Sequence, residues 1–186
     1  MNSIDELFDP YIKLEKAILA RISEWINQHC GLCTACCCRA DICEEALQSA
    51  FLSKLLIKQG LDETELDDSY GWLTPQGCVL AYGRPPICHA YFCDSLLERL
   101  ENNPTRHAMT VLGLLLYHVG EKALGDLHLT EIEEADALQK IDLQRVARQL
   151  AEAQQAFSAI DEFFQTNGRP SPAARNAMER IPLYEL

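Results

Sequence analysis

The sequence predicts a mostly α protein: a helical scaffold with an inserted, irregular, cysteine-rich metal-binding module. Three observations carry that reading. Apolar residues recur at three- and four-residue steps on both sides of a central region. Cys30, Cys33, Cys36, Cys37 and Cys38 put five thiols into nine residues, and Cys43 follows closely. Three more, Cys78, Cys88 and Cys93, surround an Arg84-Pro85-Pro86 turn, where helical periodicity is missing. The 186 residues suit a single domain, with the module inside residues 30–93 and the scaffold in 1–29 and 94–186.

The elements follow in order. Ile4, Leu7, Phe8, Tyr11, Ile18, Ile22, Trp25 and Ile26 form one face of a long helix within residues 4–28. Pro10 interrupts the early part, so the regular helix is expected to begin near it, and Gly31 breaks it before the cysteine run. Asp41 caps a second helix running to Gln59, stopped by Gly60. The acidic stretch 61–68 reads as a solvated loop. Val79-Leu80-Ala81-Tyr82 reads as a short strand with little to pair with. Leu96, Leu97 and Leu100 make a short helical face after Asp94. A helix follows Asn103-Pro104-Thr105, with Met109, Leu112, Leu115, Leu116 and Val119 inward. Thr130 to Glu133 fits a capping box. Residues 142–165 carry Leu143, Val146, Leu150, Phe157, Ile160 and Phe164 at helical spacing, closed by Gly168. Ser171-Pro172 opens a last short helix.

Charge narrows the function classes. Sixteen basic residues against 28 acidic ones leave a net charge of −12. That sign excludes a general nucleic-acid binder, which needs a basic footprint, and disfavours an anionic membrane surface. It favours solubility and a cationic partner, and the expectation is an unidentified protein partner or substrate. The acidic start lacks the basic and apolar regions of a secretory signal, and no apolar run reaches a span's roughly 20 residues. The expected location is cytoplasmic, where thiols stay reduced. Nine cysteines also cannot all pair within one chain.

Reduced thiols at this density point to metal. Cys30-x2-Cys33-x2-Cys36 lets the chain fold back so that successive sulfurs reach one centre. Three such ligands with a remote fourth from Cys78, Cys88 or Cys93 would wire an iron–sulfur cluster of the ferredoxin type. The fourth local cysteine followed by proline is missing, so the chain is no ordinary ferredoxin. Zinc is the rival, held by Cys33, Cys36, Cys88 and Cys93. Adjacent Cys36 and Cys37 diverge, which suits a polynuclear cluster or two sites better than one zinc ion. Ligand counting places the iron–sulfur cluster ahead of zinc, with Cys30, Cys33, Cys36, Cys37, Cys78, Cys88 and Cys93 as candidate ligands. Arg39, Arg84 and His89 lie nearest in sequence to offset thiolate charge, and His29 and His89 are the histidines within reach of the metal.

Cys30-x2-Cys33-x2-Cys36-Cys37, with Cys78, Tyr82, Arg84-Pro85 and Cys88, resembles a cysteine-cluster family of zinc- or iron-chelating proteins. That family includes flagellin lysine N-methylases. The likeness covers residues 30–93, a third of the chain. It departs from the pattern in lacking a further cysteine between Cys43 and Cys78, and in the later position of Tyr82. Cys38 and Cys43 are the residues available to substitute. The resemblance implies metal chelation, and methylation in a subset. The chain has no Gly-rich cofactor turn, nucleophile elbow, phosphate loop or His-Glu-x-x-His. The leading expectation is a structural or redox metal-cluster protein. The alternatives are a cluster-dependent lysine N-methylase-like enzyme, and a metal carrier with labile binding at Cys36, Cys37 and Cys38.

Overall fold

The structure is a computed structural model that describes residues 3–30, 38–61, 66–67, 69–74, 77–98, 100 and 102–183; the side chains of 25–30, 94 and 95 fall outside that description. Among the described residues the chain is mostly helical, with a single two-stranded sheet. The elements are α1 (Asp5–Cys30), α2 (Ala40–Gln48), α3 (Ala50–Gln59), β1 (Leu73–Thr74), β2 (Gly77–Cys78), α4 (Ile87–Ala90), α5 (Asp94–Leu97), α6 (Asn103–Gly120), α7 (Leu143–Gln165) and α8 (Pro172–Glu179).

The body is built on α6 and α7, which lie along each other. The α8 helix packs on α7, and α1 meets both long helices. Helix α6 is buried nearly all round. Val111, Leu112, Leu114, Leu115, Leu116 and Val119 are all at most 2% exposed, so it is the central rod rather than a surface amphipath. Its ends are set locally: the Asn102 side chain accepts from Thr105 N–H at 2.9 Å, with Pro104 in the first turn. Asp142 caps α7 through Arg145 N–H, and Ser171 caps α8 through Ala174 N–H. Two polar ties fix the helices to one another. Arg21 of α1 donates to Asp161 of α7 at 2.9 Å, and His118 of α6 lies 2.9 Å from Glu152 of α7.

Four local expectations are corrected. Helix α1 begins at Asp5 and runs through Pro10, its sixth residue. The proline forfeits one hydrogen bond, and burial of Ile4, Leu7, Phe8 and Tyr11 on the shared face outweighs that loss. Residues 41–59 form two helices rather than one. Ser49 adopts an extended backbone, ending α2 and capping α3 with its hydroxyl on Leu52 N–H at 3.2 Å. The strands are Leu73–Thr74 and Gly77–Cys78, paired with Leu73 opposite Cys78. Val79–Tyr82 is no strand: the Leu80 and Tyr82 carbonyls and the Ala81 N–H go to side chains instead. The capping box sits two residues early, where His128 and Glu131 cap the 3-10 turn Leu129–Glu131.

Helix α3 lies inside the sequence-assigned module but belongs to the core. Phe51, Leu52, Leu55 and Leu56 are at most 1% exposed, and Phe51 stacks on Phe8 and meets Tyr11 edge-on, at 5.2 and 5.0 Å between ring centres. The segments that carry thiols, α2, the β1–β2 hairpin and α4, are short pieces set against this body.

Candidate metal centre

The segment leading to Cys88 is held by a few polar contacts. Glu15, on the buried face of α1, is fully buried. Its carboxylate accepts from Gly83 N–H at 2.7 Å, from Arg84 N–H at 2.9 Å and from His89 Nε2–H at 3.3 Å. A buried carboxylate persists only with such donors around it. Gln59, at the end of α3, donates to Tyr82 C=O at 2.9 Å and accepts from Ala81 N–H at 3.0 Å. Arg84 folds back, and its Nε and Nη2 both donate to Leu80 C=O, at 3.0 and 2.8 Å. Gly83 takes φ +75°, and a Cβ there would meet Leu55 at 3.0 Å. Pro85 and Pro86 are buried behind this anchor. Cys88 therefore projects from a stretch whose backbone is fixed at both ends.

On the far side, α4 rests on α6 at Gly113. A Cβ at that position would lie 2.7 Å from His89 C=O and 2.9 Å from both Ala90 Cα and Phe92 Cε2. Glycine is thus what lets the turn carrying Cys88 approach the central helix so closely. Cys78 sits at the end of the hairpin, opposite Leu73, with Val79 N–H donating to Trp72 C=O at 2.9 Å. Cys43 reaches the same hairpin from α2: a Cβ on Gly71 would stand 2.3 Å from its sulfur.

Cys43, Cys78 and Cys38 lie near enough to Cys88 for negative charge on them to raise its pKa. Burial pushes the Cys88 thiol up to about 12; negative charge on Cys43, Cys78 and Cys38 adds to the rise, while Arg84 opposes it. Cys88 as a residue retains exposed surface, while its thiol is surrounded closely enough for burial to dominate its shift. Burial also raises Cys43, the charges of Cys78 and Asp41 raise it further, and the Trp72 backbone N–H acts the other way. These thiols hinder one another's ionisation, and a cation among them would reverse that. No family model matches the chain, and no curated protein or solved structure matches it.

Of the sequence-assigned ligands, Cys33, Cys36 and Cys37 lie outside the described residues, as does the Cys30 side chain; the backbone of Cys30 ends α1. Negative charge on Cys78 is felt at Cys88; Cys93 follows α4 and is half-buried, its carbonyl accepting from Leu96 and Leu97 N–H. Among the described residues, no three His, Cys, Asp or Glu side chains converge on a point that one ion could occupy. Arg39 is paired with exposed Asp41, its Nε donating at 2.9 Å. His89 is 1% exposed, with its ring turned to Glu15, so it anchors α4 to α1. The His29 side chain lies outside the described residues. Sequence reasoning missed Glu15, because a lone Glu on a helix looks like any solvated residue; only its place in the apolar series of Tyr11, Leu14 and Ile18 hinted at burial. No helix among the described residues is long and apolar enough to cross a membrane.

Proposed function

We propose that this chain is a metal-cluster protein of the reducing cytoplasm. Its cysteine-rich module would hold an iron–sulfur cluster in preference to zinc, in a structural or redox role. The observation that carries the reading is the Cys30-x2-Cys33-x2-Cys36-Cys37 run in the sequence, with further thiols carried on separate elements: Cys43 on α2, Cys78 on β2 and Cys88 on α4. The donor set is soft and anionic once ionised, which suits iron–sulfur clusters and zinc and not magnesium or calcium. Sulfurs on a single zinc stand about 3.8 Å apart, given bonds of about 2.3 Å in a tetrahedron. Adjacent Cys36 and Cys37 diverge in sequence, which suits a wider polynuclear centre better than one zinc ion. The cluster would supply electron storage or a rigid cross-link; the protein supplies the thiolates, the Glu15 anchor and the Arg84 charge.

The deciding experiment is metal and sulfide analysis of anaerobically purified protein. Iron with acid-labile sulfide supports the cluster, and tight zinc without colour supports the rival. Serine at Cys33 or Cys36 is expected to remove most of the bound metal. Full occupancy in both variants would refute the assignment.

A further inference from the structure

Where α6 begins and α7 turns into α8, the body carries a groove of about 470 Å³. Small-molecule sites span roughly 300–1,000 Å³. Local chemistry shapes the groove. Gly168 takes φ +82°, and its N–H closes α7 on the Phe163 C=O at 2.8 Å. The chain then returns along α7, and Ser171 N–H donates to Glu162 Oε1 at 2.6 Å, which fixes where α8 starts. On the other side, Asn103 and His107 present polar groups from the N-terminal turns of α6, held by the Asn102 cap.

The floor is apolar. Phe163 and Met178 line the groove and are each 5% exposed, with Pro104 and Pro170 beside them. Over that floor stand two opposite charges, Arg175 and Glu179. They are four residues apart on α8, so they share one face, with Cβ atoms roughly 5–6 Å apart. Both are exposed, and among the described residues neither side chain is hydrogen-bonded or ion-paired, to the other or to any third group. A cation and an anion thus stand side by side, unneutralised, above an apolar surface.

We propose that this groove binds a free α-amino acid with a large apolar side chain. Charge complementarity selects that class. A ligand with only a carboxylate meets like charge at Glu179, and one with only an amine meets it at Arg175. A ligand carrying both ions on one carbon pairs with both residues. The Arg175 guanidinium offers the carboxylate two parallel N–H donors, and the Glu179 carboxylate accepts from the ammonium. The apolar side chain then covers Phe163 and Met178 and takes their remaining surface out of water. The groove shares no residue with the thiol-bearing segments, so the inference stands or falls apart from the metal reading.

The test uses the whole chain and follows methionine methyl resonances by NMR. Of the three methionines, Met178 alone lines the groove. Phenylalanine and leucine are expected to shift the Met178 methyl saturably, and glycine to leave it in place. N-acetyl-phenylalanine, which lacks the ammonium, and phenylalaninamide, which lacks the carboxylate, are each expected to bind roughly tenfold more weakly than phenylalanine. Arg175→Gln and Glu179→Gln are expected to weaken phenylalanine to a similar degree. Both replace exposed side chains on which no contact of the fold depends, so the variants remain folded. Absence of a saturable shift with phenylalanine and leucine overturns the proposal. So does equal affinity for either blocked phenylalanine, which would mark a site for a plain anion or a plain cation. Unchanged affinity in either variant also overturns it.

Discussion

The α6–α7–α8 body and the thiol-bearing segments obey different rules. The body is held by area: α6 and α7 bury long apolar faces, their ends are capped by Asn102, Asp142 and Ser171, and most single contacts are redundant. The segments α2, β1–β2 and α4 are four to nine residues or shorter and bury little. They are fixed at points: Glu15 under Gly83, Arg84 and His89; Gln59 under Ala81 and Tyr82; Gly71 against Cys43; Gly113 against α4. Structure held by area tolerates small losses, whereas structure held at points fails when one point is removed. A metal centre on such segments would itself be a further fixing point, as in small metal modules generally.

The largest effect is expected at Glu15. Glu15→Ala leaves two backbone N–H groups and the His89 ring buried without their acceptor, which costs about 3 kcal/mol or more. The denaturation midpoint should drop, and Cys88 should react faster with iodoacetamide even under native conditions. An unchanged midpoint would mean the segment does not depend on this carboxylate.

Metal removal is the next test. Hydrogen exchange should show protection lost in α2 and residues 77–93, with α6, α7 and α8 unchanged. Helix α3 should stay protected with the body, because Phe51, Leu52, Leu55 and Leu56 are buried in the shared core. Loss spread evenly over the chain would erase the distinction between the two regions. Unchanged protection in 77–93 would mean that the polar anchors suffice.

Gly113→Ala probes the seam between them. Its Cβ would press on His89 C=O at 2.7 Å, a backbone atom that can yield only if α4 moves. A cost of about 1–3 kcal/mol is expected, together with displaced resonances for residues 88–92 and little change in α7. Gain of stability would show that α4 has room to shift.

The smallest effect concerns pH in the body. His128 Nε2 lies 2.9 Å from the Tyr117 carbonyl, which can only accept, so Nε2 carries the hydrogen; Nδ1 then accepts from Thr130 N–H at 3.2 Å. Burial, against the opposing pull of Tyr117, Glu131 and Glu121, lowers the His128 pKa. The unfolded chain therefore binds a proton that the folded one resists. This contribution is complete above about pH 6.5 and is lost as pH falls from there toward the lower folded value. Stability of His128→Gln should depend less on pH in that window; the same slope in both proteins would refute the assignment.

Periodicity and local chemistry determined much of the body: α6, α7 and α8, the Ser171 cap and the inward Met109, Leu112, Leu115, Leu116 and Val119 stand where the sequence puts them, whereas the Asn102 cap and the burial of Val111 and Leu114 were not legible there. Cys-x2-Cys spacing likewise marked residues 30–37 as chemically distinct, although their arrangement lies outside the described residues. Tertiary structure decided the rest. Ser49 divides a continuous apolar pattern, because an extended residue there lets Ala50 N–H reach Ile132 C=O at 2.8 Å, a partner 82 residues away. Pro10 stays helical because burial outweighs one lost hydrogen bond. The approach of Cys43 to Gly71, the buried acceptor Glu15 and the empty Cβ positions of Gly71 and Gly113 have no local signature. Each depends on what another segment places within about 3 Å, and sequence spacing carries no information about that distance.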